Sequence, residues 1–364
     1  MNTHLLKFAA ALAVAAPSLA AAQAPGGKPI SIGTSFVVPS AILRQDREIN
    51  IHLPASYSDP KDVRSYPVLY VLDGGVDQDF THIAGLAEHG SMSWTFDDLI
   101  VVGISTKNRI WELTTPTQDQ RYIEYFKANG QTAETAGGGG SADFRRYLAE
   151  EIIPYVDKNY RTNGRRALIG ESLAGLFVVD TLLRQPGLFN DYLAISPSLW
   201  WNREELGNRA GAMLKGQDYA GRRLYLTLGA EGGTMGRAVG NFVAALKSPA
   251  AGSLKWTFVD RRNSEHHGSI YHAAALDALR TLYPQAWRPG APYPWFHIGS
   301  VKPLSAAAEA DRKIPCTIKR AKRVTFAEIN RAPERWDAFC VVTPLGEAPE
   351  PRLRSKNWFA PEAK

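Results

Sequence analysis

The apolar runs at residues 66–72 and 99–104 are continuous rather than alternating, and shorter ones recur within 165–170, 192–195, 222–228 and 254–259. A strand that is apolar at every position must be covered on both faces, which is the habit of parallel sheets sandwiched by helices. Patterns of helical period fall between these runs, at 142–158, 173–184, 204–214, 235–246 and 270–282. Strand and helix in alternation predict an α/β architecture with a mostly parallel central sheet and helices on both faces. Two earlier segments, 31–38 and 47–53, are rich in β-branched residues and punctuated by Pro54 and Pro60. They predict an antiparallel N-terminal edge.

This rhythm occupies residues 25–290 of the 364. Before it, a short positive start to Lys7, an apolar run from Phe8 and small residues around Ala20 to Ala24 have the layout of a secretory signal peptide over residues 1–24. The run is too short and too alanine-rich to span a bilayer comfortably, so an exported chain with a cleaved leader and no membrane anchor is expected, most simply periplasmic. After it, the Pro-rich stretch from Arg288 to Pro292 marks a boundary. Residues 291–364 read as a C-terminal extension with possible strands at 323–329 and 339–342, a small β module. Both cysteines, Cys316 and Cys340, lie there, and in an oxidising compartment they are expected to close a disulfide. The tail also holds the charge: 13 Lys/Arg against 8 Asp/Glu, leaving residues 25–290 formally neutral once Lys7 is set aside. A neutral body argues against nucleic acid as the partner. Between 104 and 144 a long polar insertion contains four consecutive glycines from Gly137 to Gly140, and a segment of that length is either a linker or the rim of a binding site.

The chemistry centres on Ile169-Gly170-Glu171-Ser172-Leu173-Ala174-Gly175. A strand ending in a tight turn of small residues, with a serine at its tip and a helix behind it, has the layout of a nucleophile elbow. Ala174 stands where the motif usually has glycine. A serine hydroxyl needs a base to take its proton and an acid to orient that base, and in this architecture the chain order is serine, acid, histidine. Glu231, in Gly229-Ala230-Glu231-Gly232-Gly233 just past the run 222–228, is the expected acid. His267, directly before Gly268-Ser269 and a helix, is the expected base, with His266 as the alternative. An oxyanion hole requires backbone N–H donors; Leu173 should supply one, and Gly74 or Gly75 in Val71-Leu72-Asp73-Gly74-Gly75 the other, with Asp73 shaping the turn. No metal or cofactor is called for.

With these segments in hand, the chain resembles the Putative esterase family of the α/β-hydrolase superfamily, and especially its enterochelin-esterase and trilactone-hydrolase branches. The resemblance rests on Tyr70-Val71-Leu72-Asp73-Gly74, Asn108-Arg109 with Leu113-Thr114-Thr115-Pro116, the stretch from Gly138 to Asp143 leading to Glu151-Ile152-Ile153-Pro154-Tyr155, the elbow, Ser196-Pro197-Ser198-Leu199-Trp200-Trp201, and His267-Gly268-Ser269. It implies an α/β-hydrolase fold and a Ser-acid-His hydrolase acting on a small-molecule ester without metal or cofactor. Trp200 and Trp201 either line an acyl pocket suited to aryl esters or support their loop. Arg44, Arg109 and Arg121 are candidates either to meet an anionic ligand such as a ferric catecholate or to form surface salt bridges. Acyl transfer on the same triad, feruloyl or acetyl ester hydrolysis, and a catalytically silent binding module are the competing readings.

Overall fold

Eight strands form one sheet in the order β1-β2-β4-β3-β5-β6-β7-β8, with β1 Thr34–Ser40, β2 Gln45–His52, β3 Tyr66–Leu72, β4 Ile100–Ile104, β5 Thr162–Glu171, β6 Asp191–Ile195, β7 Arg223–Leu228 and β8 Lys255–Asp260. The computed structural model describes residues 27–284 apart from Trp94, together with four short strands beyond them. The expected leader at 1–24 and Cys316 lie outside the described residues. β1 and β2 pair antiparallel, as do β2 and β4, while β3 to β8 run parallel. The chain is therefore the mostly parallel α/β sheet with an antiparallel edge that the runs of apolar residues predict.

Burial follows position in the sheet. All residues of β4 and β6 are buried, whereas the residues of the edge strands β1 and β8 are exposed or half-buried, Ser40 excepted. Side chains alternate faces along a strand, so Val68, Tyr70 and Leu72 of β3 join one apolar core while Leu69 and Val71 join the other. On the second face lie α1 (Phe80–Met92) and, at the far end of the chain, α9 (Ile270–Leu282); the first face is covered by α4 (Ser141–Tyr147), α5 (Ile153–Asn159), α6 (Leu173–Arg184), α7 (Trp201–Leu214) and α8 (Gly233–Leu246). The polar insertion carries two short helices, α2 (Arg109–Leu113) and α3 (Gln120–Ala128).

Two departures from the sequence reading have local causes. The single helix expected over 142–158 is α4 and α5 joined by a π-helical turn at Leu148–Ile152, just before Pro154. Proline lacks an N–H and its ring crowds the carbonyl four residues back, so the α register widens there. The helix α1 has no signal in the sequence reading because glycines at 85 and 90 interrupt its pattern; Gly90 is required, since a Cβ there would sit 1.9 Å from the Phe96 ring.

In the tail, β9 (His297–Ser300), β10 (Ala321–Arg323), β11 (Ala338–Val342) and β12 (Arg352–Ser355) pair antiparallel in the order β10-β9-β11-β12. Arg323, the first residue of the strand expected at 323–329, closes β10, and residues 324–329 lie outside the described residues.

The sheet also fixes where a ligand can sit. From β3 the chain moves outward to β4, then returns past β3 to add β5 and continue the other way. At such a reversal the loops leaving adjacent strands part in opposite directions and open a crevice beyond the carboxyl ends of the strands. The loops that flank it here follow β3, at Asp73 to Gly75, and β5, at Ser172.

Candidate active site

Ser172 occupies the tight turn that links β5 to α6. Its backbone adopts φ 59°, ψ −118° between β5 and α6, a left-handed conformation that costs a non-glycine residue about 1–3 kcal/mol and persists only where surrounding contacts enforce it. Those contacts are visible. The Ser172 N–H donates to the Ile195 carbonyl at 3.0 Å, and its carbonyl accepts from Leu176 and Ser198, each at 2.9 Å. A Cβ on Gly170 would lie 2.6–2.9 Å from the Ala174 Cβ, carbonyl carbon and oxygen, and one on Gly175 would lie 2.9 Å from the Ile195 carbonyl. The strand and helix thus cross at glycine contact distance, with Ala174 fitting because Gly170 faces it. The Leu173 N–H begins α6, where no carbonyl of the helix can reach it.

Glu231 and His267 meet across two loops. The His267 Nδ1 lies 2.5 Å from Glu231 Oε1, and the Ala230 N–H donates to the Glu265 carbonyl at 2.7 Å, tying the loop after β7 to the loop after β8. Glu231 is largely buried and His267 is 45 % exposed. The hydrogen bond to Glu231 raises the His267 pKa above the usual imidazole value, against the opposing effect of burial. His266 is turned into its own loop, its Nδ1 accepting from the Gly268 N–H at 3.2 Å. The second carboxylate oxygen of Glu231 accepts from Ser196 Oγ at 3.2 Å, and that hydroxyl accepts from the Gly229 N–H at 2.9 Å. The Ser172 hydroxyl bonds to Ser198 Oγ at 3.2 Å.

The turn after β3 corrects one expectation. Gly74 is not free to serve as an oxyanion donor: its N–H donates to the Ile104 carbonyl at 2.8 Å. It is glycine because β4 lies against it, a Cβ there falling 2.4 Å from Gly103 Cα. The Gly75 N–H donates to the side-chain oxygen of Gln78 at 2.9 Å, whose amide nitrogen in turn donates to the Thr106 carbonyl at 3.1 Å. Asp73, itself left-handed at φ 51°, shapes the turn by accepting from Thr106 Oγ1 at 2.5 Å and from Arg109 Nε at 2.6 Å.

Arg109 therefore bridges the two flanking loops, since its other arm donates to the Glu171 carbonyl at 3.3 Å. Its helix is anchored from below. Arg47 of β2, fully buried, forms a two-pronged bond to Glu112 of α2 at 2.7 and 2.9 Å, and Glu112 also accepts from the N–H groups of Lys107 and Asn108.

The paired tryptophans divide. Trp201 is buried at 2 % exposure and its indole N–H donates to the Thr115 carbonyl at 2.8 Å, so the expected substrate role does not fall to it; it props the polar insertion. Trp200 lines an open cavity of about 310 Å³ with Arg121, Tyr122, Tyr125 and Phe126 of α3. The Trp200 and Tyr122 rings are 4.9 Å apart. Just beyond the tryptophans, Asn202, Arg203 and Glu204 are all left-handed, held by Thr117 on Asn202 at 3.0 Å and by Arg237 on Glu204. The Arg121 guanidinium is engaged by Asp119, the cap of its own helix, at 2.7 Å.

The sequence reading missed Ser196, Ser198, Gln78, Glu171 and the ring stripe of α3. Tyr122, Tyr125 and Phe126 have the i, i+3, i+4 spacing of one helix face, a signal that was available. The hydroxyl and amide contacts carry no signature in sequence. No group of three or more metal-ligating side chains occurs among the described residues, and none of the described helices is long and apolar enough to cross a membrane.

With this geometry the family model described as Putative esterase matches residues 40–276. The chain belongs to the Putative esterase family. Among its curated relatives are the ferri-bacillibactin esterase BesA of Bacillus subtilis (strain 168), 28 % identical over 189 residues that make up 47 % of this chain and 63 % of the relative, and the siderophore enterobactin esterase of Emericella nidulans, 29 % identical over 181 residues, 46 % of this chain and 59 % of the relative. The chain thus spans about three fifths of the length of these curated relatives. An IroE-like serine hydrolase from Shewanella oneidensis superposes with a TM-score of 0.61 at 26 % identity, over 69 % of this chain and 80 % of that one. The fold of this family member is that of an α/β-hydrolase.

Proposed function

We propose that this Putative esterase family member is a serine carboxylic-ester hydrolase in which Ser172 is the nucleophile, His267 the base and Glu231 the acid that orients it. The observation that carries this is the 2.5 Å bond from His267 to a largely buried Glu231, with Ser172 held left-handed at the turn from β5 into α6. Ser172 Oγ attacks the ester carbonyl and its proton passes to His267. The charge of Glu231 stabilises the resulting imidazolium. The carbonyl oxygen becomes an oxyanion that the Leu173 N–H can receive. Gly75 supplies the second donor once the oxyanion takes the place of the Gln78 side-chain oxygen. His267 then protonates the leaving alkoxide, and water repeats the sequence on the acyl-enzyme, regenerating Ser172.

For substrate we infer a siderophore-type trilactone or a related aryl ester. Support comes from relatives named as siderophore esterases and from the ring-lined cavity at Trp200, whose five walls include four aromatic side chains. Arg109, bridging Asp73 and Glu171, is taken to position the ester rather than to neutralise a ligand. Export through the leader at residues 1–24, division into an esterase domain at 25–290 and an extension at 291–364, and a Cys316–Cys340 disulfide belong to the same proposal.

Ser172→Ala and His267→Ala are each expected to reduce hydrolysis of short aryl esters by a factor of at least about 10³ with unchanged circular dichroism. Ferric and iron-free catecholate trilactones compared with feruloyl, acetyl and simple acyl esters test the substrate. Good turnover of simple esters with none of the trilactones would refute the siderophore assignment; full activity of Ser172→Ala would refute the nucleophile.

A further inference from the structure

Glu171 stands between Gly170 and Ser172 in the elbow, and the catalytic scheme gives its side chain nothing to do. Its Oε1 is buried and has no hydrogen-bond partner among the described residues; the same is true of the Tyr271 hydroxyl. These two unpaired groups lie within electrostatic reach of each other. A buried carboxylate with an unpaired oxygen is costly to ionise, and a cation alongside would ordinarily repay it. Arg109 faces this carboxyl but is committed elsewhere, its Nε to Asp73 at 2.6 Å and its terminal nitrogen to the backbone carbonyl of Glu171 rather than to the carboxylate. The groups facing Glu171 are Asp79 before α1, Arg109, Glu231, His267 and Tyr271 of α9. Two of these five are acids, Asp79 and Glu231, which further oppose a negative charge on Glu171. His267 is the one facing group whose charge can appear and disappear near neutral pH.

We propose that Glu171 is a second acid of the active site, a carboxyl that shares a proton with His267 and thereby sets the pH at which that histidine becomes a competent base. This rests on the ester-hydrolase reading for the use of His267 as base. Burial pushes the Glu171 carboxyl up to about 7, into the range where imidazole titrates, and an ionised Glu171 raises the proton affinity of His267 in turn. With one proton between them, the pair divides between a neutral form, with Glu171 protonated and His267 free to accept from Ser172, and an ion pair, with His267 protonated and unable to. Two interacting groups of this kind titrate as a pair, in two steps. Glu171 acts through His267 and does not touch the reacting atoms, so it is a positioning residue.

The test is a ¹³Cε1 NMR titration of the histidines in the full-length protein without substrate, with His267 assigned by loss of its resonance in His267→Gln. The wild-type resonance is expected to move in two steps. In Glu171→Gln it should move in one, with its midpoint lower by about one pH unit, and in Glu171→Asp both steps should persist. The acid limb of kcat/KM should shift with it, so that one unit below the wild-type midpoint Glu171→Gln keeps about five times the wild-type fraction of its plateau activity. A one-step titration in the wild type, or an unchanged midpoint in Glu171→Gln, overturns the proposal, and the wild-type result stands even if the variant fails to fold. Because the titration needs no turnover, its failure is distinguishable from failure of the hydrolase reading.

Discussion

Replacing Gly170 by alanine should damage catalysis far more than stability, and a compensating change at position 174 should not repair it. A Cβ at 170 would lie 2.6 Å from the Ala174 Cβ, 2.7 Å from the Ala174 carbonyl carbon and 2.9 Å from its oxygen. Shortening Ala174 to glycine removes only the first of these contacts. The other two are to the backbone of α6, whose residues from Leu173 to Leu183 are all buried, so the helix must shift as a unit. Overpacking of this kind costs about 1–3 kcal/mol, or on the order of 2–10 °C in Tm for a domain of this size. The same shift moves the Ser172 hydroxyl, and a misplacement near 1 Å costs about a hundredfold in rate. Urea denaturation followed by tryptophan fluorescence gives the first quantity and hydrolysis of a short aryl ester the second. Gly170→Ala with wild-type turnover, or full recovery of turnover in Gly170→Ala/Ala174→Gly, would show that the strand and helix do not set the serine.

Three further outcomes follow from the site. Ser196→Ala removes the hydroxyl that bonds Glu231 and accepts from Gly229; a hydrogen bond to a charged group is worth about 1.5–3 kcal/mol, so kcat should fall about tenfold or more with KM little changed in steady-state assays. Trp200→Ala should lower kcat/KM for aryl esters about fivefold or more while sparing acetyl esters, whereas Trp201→Ala, which empties a buried position, should cost about 3–5 kcal/mol of stability by denaturant titration. Activity should be lost as pH falls through the His267 pKa, because protonation occupies the nitrogen that must accept from Ser172; Glu231 raises that pKa, so Glu231→Gln should move the acid limb of its residual kcat/KM profile to lower pH, and a limb moved upward would contradict the assignment.

Much of this was legible in the chain because burial on two faces leaves a mark on composition. The strands β3 and β4 are apolar throughout and were located within a residue, and the elbow followed from glycines whose absence of Cβ the crossing of β5 and α6 demands. Glu231 and His267 were expected together from their places after successive strands, which the fold constrains strongly, and the two side chains meet. What could not be read were contacts that depend on the direction of a single bond: Gln78 engaging the Gly75 N–H, Ser198 engaging Ser172, and the use of the Gly74 N–H by the sheet. Adjacent tryptophans with the same chemistry separated only in three dimensions, because α3 of the polar insertion folds over one and the insertion buries the other. That insertion was recognisable as a possible rim by its length, but its helices are short and its glycines prominent, so the aromatic spacing of α3 was the one local pattern that could have revealed its structure.

Covalent labelling of Ser172 tests the central claim most directly. Incubation of the full-length protein with a fluorophosphonate, followed by intact-mass measurement and peptide mapping, should give a single adduct on the peptide containing Ser172, absent in Ser172→Ala and formed at least about a hundredfold more slowly in His267→Ala. An adduct that persists in Ser172→Ala, or no adduct on the folded wild-type protein, would contradict the account.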